Sequence, residues 1–267
     1  MGRMDREPAV AGTFYPGEPA RLAKDVAGLL RSGGPAQKAL GLLAPHAGYV
    51  YSGAVAGATY ARVEVPARAV VLGPNHTGHG ARAALWPDGA FRTPLGEVAI
   101  DPELTAALAA CPGVRGDRAA HLREHALEVQ LPFLQVRRPG VAIAALCLGP
   151  LSLAEAEELG GALSEAVKGR EALLVASSDM SHYLEEARAR ALDARALERL
   201  LALDPRGLYE TVRRERISMC GVVPATVMLF AARALGATRA ELVRYAHSGE
   251  VTGDRQSVVG YAGLVVS

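Results

Sequence analysis

The chain of 267 residues has little of several things, and each scarcity removes a class of function. Its three cysteines, Cys111, Cys147 and Cys220, are odd in number and lack finger spacing, so neither a disulfide framework nor a zinc finger is encoded. Lysine occurs only at Lys24, Lys38 and Lys168, none in a setting that would desolvate an amine, which sets Schiff-base chemistry aside. Charge of one sign is missing too. With 29 basic and 28 acidic residues the formal net charge is +1, and no global field draws the chain to nucleic acid or an anionic membrane. No apolar run reaches the roughly 18 residues that read as a bilayer span, and the first residues carry no signal-peptide core. Also absent are a G-x-x-x-x-G-K-S/T phosphate loop, a strand-borne G-x-G-x-x-G and a G-x-S-x-G nucleophile elbow, which removes the usual support for nucleotide-dependent and serine-hydrolase readings. A reducing cytoplasm is the expected compartment.

What remains is a globular composition, 50% apolar and 21% charged. Short continuous apolar runs recur at 39–44, 69–72, 141–148, 172–176, 242–246 and 258–266, as expected of strands buried on both faces. Helical patterns lie between them. Asp101-Pro102 and Asp204-Pro205 each pair an N-cap with a first-turn proline, Pro19 opens a pattern that runs to Arg31, and Ser152 with Glu155 forms a capping box. Arg188 to Leu203 reads as an amphipathic surface helix. Strands alternating with helices predict an α/β fold with a central, mostly parallel sheet flanked by helices. No long linker divides the chain, so a single domain over 1–267 is expected.

In such sheets the ligand site lies beyond the carboxyl ends of the strands. "LAPHAGY" (43–49) carries His46 past the first strand, and "LGPNHTG" (72–78) carries His76 past the second. The run 172–176 ends in "SSDMSHY" (177–183), which brings Asp179 and His182 to the same rim. Cys220, in "SMCG", precedes the helical pattern 222–235, where unpaired amides and the helix dipole favour a thiolate. Cys111 and Cys147 read as small buried hydrophobes. Two imidazoles and a thiolate make a soft, open donor set suited to Fe(II), Cu or Zn and poorly suited to Mg or Ca. His182 is then free to act as acid or base, with Asp179 orienting it or tuning its pKa. A second polar run, His121 to Pro132, places His121 with His125, and His125 with Glu128, on one face of an expected solvated or supporting helix; it lacks the H-E-x-x-H order of a metalloprotease. His79 and His247 are read as loop-lining residues.

Taken in order, "VAGTFYPG", "LLAPHAGYVYSG", "LGPNHTG", "EHALEVQLPF", "SSDMSHY", "SMCG" and "SVVGYAGLVV" resemble the Memo family, called AmmeMemoRadiSam system protein B in many prokaryotes, over nearly the whole chain. The resemblance implies a fold like that of class III extradiol ring-cleaving dioxygenases, whose metal is non-haem Fe(II). It maps metal binding onto His46, His76 and Cys220, and the nearby polar pair onto Asp179 and His182. The dioxygenases use a carboxylate where this chain has Cys220. The resemblance also implies an aromatic pair at the pocket, Phe14 and Tyr51, Phe14 standing where relatives have tryptophan. With Asn75 these are the expected substrate- or peptide-binding positions.

The expected function is therefore a metal-binding protein, with Fe(II) the first choice, Cu the second and Zn behind them, and with redox chemistry of the oxidoreductase type on a small substrate. The alternative is a non-enzymatic (phospho)peptide- or partner-binding module that uses the same pocket, and a zinc hydrolase is a third reading. The family's system name implies an AMMECR1-like protein and a radical SAM enzyme as partners, and no nucleic acid or membrane.

Overall fold

The computed structural model describes residues 4–32 and 34–267, and one main sheet organises them. The strands, in chain order, are β1 (Gly41–Ala44), β2 (Arg68–Pro74), β3 (Ala83–Leu85), β4 (Ala90–Thr93), β5 (Gly96–Ala99), β6 (Arg115–Gly116), β7 (Ala142–Leu148), β8 (Ala172–Ser177), β9 (His182–Leu184), β10 (Ala240–His247) and β11 (Val258–Val266). The helices are α1 (Pro19–Leu29), α2 (Tyr49–Ala61), α3 (Pro102–Ala109), α4 (Leu131–Arg137), α5 (Leu153–Val167), α6 (Glu186–Leu201), α7 (Pro205–Arg214), α8 (Val222–Ala234) and α9 (Gly249–Thr252).

The sheet runs β10-β11-β1-β8-β2-β7-β3-β6, with β9 attached to β11 and a separate β4-β5 hairpin. Its centre, β1-β8-β2-β7, is parallel. The flanks are antiparallel where β11 meets β1 and β10, and where β3 meets β7. The expected mostly parallel sheet is thus a mixed one with a parallel heart. All six apolar runs are strands; the added ones, β3 to β6 and β9, are short pieces with too few residues to show a period.

Alternation of side chains along the central strands explains why their runs are continuous. Leu43, Val70, Leu72, Leu146 and Leu174 face one core, packed by α3, α5, α7 and α8. Leu42, Val71, Ala145, Cys147 and Val175 face the other, beneath α1, α2 and α4. The capping signals hold: the carboxylates of Asp101 and Asp204 accept from the amides of Leu104 and Gly207, and Ser152 with Glu155 closes a capping box.

The run His121 to Gln130 departs from the expected solvated helix. Its first part is a series of turns, followed by a single 3-10 turn over Glu128–Gln130, and His121, Glu124, Glu128 and Gln130 are buried. His247 also differs: it ends β10, buried, with Nε2 3.0 Å from Glu186 Oε1, and lines no open loop. Cys147 lies buried in β7 as expected.

Candidate metal centre

Three strand ends and one helix start build the site. β1 stops at Ala44 and leads through Pro45 to His46; β2 stops at Pro74 and leads to His76; β8 stops at Ser177, two residues before Asp179. Cys220 arrives from the other side, next to Gly221, the N-cap of α8. Glycine is required there because a Cβ at 221 would lie 2.3 Å from the Ser177 carbonyl oxygen. That close approach presses the start of α8 onto the end of β8. In the second loop Gly78 has φ +68°, a left-handed turn that brings the chain back after His76.

Each histidine is fixed by the partner of its Nδ1. The Ser177 hydroxyl donates to the Ala126 carbonyl (2.7 Å) and accepts from Gln130 Nε2 (2.8 Å), so its remaining lone pair takes the Nδ1–H of His46 at 2.8 Å. His76 Nδ1 lies 2.9 Å from Glu124 Oε1, a carboxylate oxygen that must accept. Both rings therefore carry the proton on Nδ1 and present a bare Nε2, the tautomer a metal ligand needs. Cys220 Sγ sits 3.2 Å from His46 Nε2 and accepts the Asp179 amide at 3.2 Å. Ligand atoms of His46, His76 and Cys220 all lie within 4.8 Å of one another.

The electrostatics separate the members. Burial holds the His46 pKa well below its usual value, helped by the positive charges that His125 and His76 can carry. For His76 burial acts in the same direction, but the bond to Glu124 and its charge outweigh it and raise the pKa. Burial, then the Asp179 charge, pushes the Cys220 thiol well above its ordinary range. The expected helix-end thiolate is thus overridden by desolvation. A thiol here shares its proton with His46 Nε2, and only a cation displacing that proton would stabilise the thiolate.

Asp179 lies at the base. Its Oδ1 accepts the amides of His46 (2.8 Å) and Ala47 (3.3 Å), and burial raises its pKa to about 6. It holds the His46 loop. His182 is oriented by a different group: its Nδ1 donates to the Ser218 carbonyl at 2.9 Å and its amide to Ser218 Oγ at 2.8 Å, which leaves Nε2 as the basic nitrogen. The charge of His182 still acts on both His46 and Asp179.

Asn75 is turned inward on its own loop. Its Nδ2 donates to the His79 carbonyl, and its Oδ1 accepts from Thr77 Oγ1 and the Gly78 amide, so it shapes the loop that carries His76. Phe14 and Tyr51 flank Gly48 at the mouth, where the Phe14 carbonyl accepts the Tyr49 amide at 2.7 Å. Tyr51 is exposed and Phe14 half-buried, its ring 4.8 Å from that of His125.

His125 is a member that sequence reasoning assigned to the surroundings. Its ring stacks on His76 at 4.8 Å with planes 13° apart, and meets the His46 ring edge-on at 5.4 Å. With His76 and Glu124 it forms a second group of potential ligands. That group does not suit an ion: near-parallel rings aim their in-plane lone pairs side by side, and Glu124 Oε1 already accepts from His76 Nδ1 and from the amides of His125 and Ala126. Ser177, Glu124 and Gln130, the supporting residues, were the other omissions. A carboxylate and an amide embedded between apolar neighbours in "ALEVQLPF" are the signal that could have marked this run as buried.

Comparison with known proteins places this geometry. The model of the Memo-like protein family matches residues 6–265. A MEMO1 family protein of Methanopyrus kandleri is 42% identical over 280 residues, covering 98% of this chain and 99% of the relative. One from Aquifex aeolicus is 43% identical over 263 residues, covering 97% and 98%. Among solved structures, an uncharacterized protein of Escherichia coli K12 superposes with a TM-score of 0.52 at 14% identity, over 83% of this chain and 98% of that one, a likeness of fold alone. With a family model spanning almost every residue and full-length relatives above 40% identity, the chain belongs to the Memo family.

Proposed function

We propose that the protein is a metal-dependent oxidoreductase-type protein in which His46, His76 and Cys220 hold a single ion, Fe(II) in the first place and Cu in the second. The observation that carries this reading is that His46 and His76, each with a dedicated Nδ1 partner, bring ligand atoms within 4.8 Å of each other and of Cys220 Sγ, with His46 Nε2 3.2 Å from that sulfur. A half-buried thiol set 3.2 Å from the Nε2 of His46 suits a shared soft cation. A bound ion of this kind supplies Lewis acidity and one-electron redox capacity. His46 and Cys220 fix the inner side, while His76, with 35% of its side chain exposed, stands at the mouth where a substrate enters.

His182, its Nδ1 committed to the Ser218 carbonyl, keeps Nε2 as the basic nitrogen, and His125, kept neutral chiefly by burial, lies against His46. One can take a proton from a substrate while the other returns one. Asp179 keeps the His46 loop in place. Phe14 and Tyr51, which flank Gly48 after the His46 loop, offer aromatic surface that suits a neutral or aromatic ligand. A phosphopeptide is less well served: the leading charge influences on His46 and Asp179 are imidazoles, with no arginine or lysine among them. The partner readings are retained as proposals, a small molecule ahead of the AMMECR1-like and radical SAM proteins.

The test is metal analysis of protein purified without chelators, followed by oxygen uptake after anaerobic Fe(II) loading. One iron or copper per chain in the wild type and none in the His46→Ala, Cys220→Ser double variant is expected. Equal metal in both overturns the reading, and oxygen-independent hydrolysis with zinc would transfer the site to the hydrolase class.

A further inference from the structure

The turns at 121–127 have the polar spacing of a helix and do not form one. Arg6 supplies the cause. Its guanidinium is wholly buried; Nε donates to the His121 carbonyl at 3.1 Å, Nη2 donates to the Glu124 carbonyl at 2.5 Å, and Nη1 is bonded to the Glu128 carboxylate. In a helix those two carbonyls would accept the amides of His125 and Glu128. Here the His125 amide turns to Glu124 Oε1 at 2.9 Å, joined by the Ala126 amide at 2.9 Å. The Glu124 side chain is thereby folded back over its own backbone, and from that position it accepts the His76 amide at 2.6 Å and His76 Nδ1 at 2.9 Å. Glu128 secures the far end, accepting the amides of Ala9 and Val10 and the hydroxyl of Tyr15.

We infer that Arg6 is a positioning residue for the metal site. By drawing on the 121 carbonyl, which also accepts the Glu124 amide at 3.2 Å in a tight turn, and on the 124 carbonyl, it favours these turns over the helix that the spacing suggests, holds Glu124 against His76, and so fixes His76 as the Nδ1–H tautomer that presents Nε2. The N-terminal segment is in this way part of the support of the site. The consequence for metal affinity rests on the proposed function; the consequence for the His76 tautomer does not. Lysine cannot replace Arg6, because a single ammonium lacks the planar fork that meets two carbonyls and a carboxylate together.

The experiment measures two quantities in wild type, Arg6→Lys, Glu124→Gln and the double variant: the imidazole tautomer of His76 by nitrogen-15 NMR on metal-free protein, and Co(II) affinity by titration. Expected are Nδ1–H in the wild type, loss of that preference in Arg6→Lys, and a fall in Co(II) affinity of about 10–100-fold in either single variant. In the Glu124→Gln background the Arg6 change should add less than twofold, because its effect passes through Glu124. A folded Arg6→Lys protein with the wild-type tautomer and affinity overturns the inference, as do losses that simply multiply. Should Arg6→Lys fail to fold, Arg6→Met with Glu128→Leu removes both buried charges together, a change proteins commonly tolerate. It is expected to lose the His76 preference too, and its retention overturns the inference. A wild type with His76 as Nδ1–H that binds no Co(II) contradicts the metal reading and leaves the tautomer comparison to judge Arg6.

Discussion

His46 and His76 stand in near-identical sequence settings, each two residues past a strand and two before a glycine, yet the fold gives them opposite surroundings. His46 is 1% exposed and paired with a neutral hydroxyl, while the His76 side chain is 35% exposed and paired with a buried carboxylate. Burial lowers the pKa of one; Glu124 raises that of the other against burial. The difference teaches that one echo in sequence yields two kinds of histidine: an inner one that is part of the packing, and a rim one that the protein holds by charge.

The largest expected effect separates the two directly. His46→Ala removes metal binding and also empties a packed position tied to the Ser177–Gln130 network, at about 2–3 kcal/mol of folding stability. His76→Ala removes the rim member, which weakens metal binding without abolishing it, and costs less stability, about 1 kcal/mol, because the buried Glu124 carboxylate keeps its three backbone amides. Metal titration and thermal unfolding of the two variants check this, and equal stability losses would erase the inner-versus-rim distinction.

The second effect concerns Asp179, which belongs to the His46 side. Its pKa rises from 3.8 to about 6 on folding, so the folded state favours the neutral carboxyl. Its contribution is fully present below pH 3.8 and is lost as pH rises through about 6, which for a shift of this size is about 3 kcal/mol. Denaturant unfolding of chelator-treated wild type and Asp179→Asn across pH 4 to 7 should show this decline in the former alone. The same slope in both proteins would assign it elsewhere.

The smallest effect compares the two supports. Glu124→Gln should weaken Co(II) binding about 100-fold and Ser177→Ala about tenfold, because a charge-assisted bond is the stronger anchor. The raised pKa of His76 also makes protons compete with metal at that residue first as pH falls; in Glu124→Gln the onset moves to lower pH. Affinities measured from pH 5 to 8 decide it, and an onset unchanged in Glu124→Gln would show that Glu124 does not set the His76 proton.

Much of this was legible in the chain. Continuous apolar runs gave the six principal strands, because strands buried on both faces have no polar side to alternate with. Strand-end placement brought His46, His76, Asp179 and His182 to one rim. The supporting half was not legible. Glu124, His125 and Glu128 have helical spacing, and only a guanidinium 118 residues away in sequence from the Glu124 carbonyl makes that spacing misleading. The same holds for the Cys220 thiol: helix-end polarity is a local property, whereas the desolvation that overrides it depends on what packs against the sulfur from β8. Asp179 was assigned to His182, but its oxygen is taken by backbone amides that no side-chain pattern reveals.

The central claim, one ion held by two imidazoles and a thiolate, is tested most directly by X-ray absorption at the iron edge on anaerobically Fe(II)-loaded protein. The account predicts one sulfur scatterer and two imidazole rings per iron in the wild type, with the sulfur lost in Cys220→Ser and one ring lost in His76→Ala. A wild-type spectrum without sulfur, or one unchanged by either substitution, would contradict it.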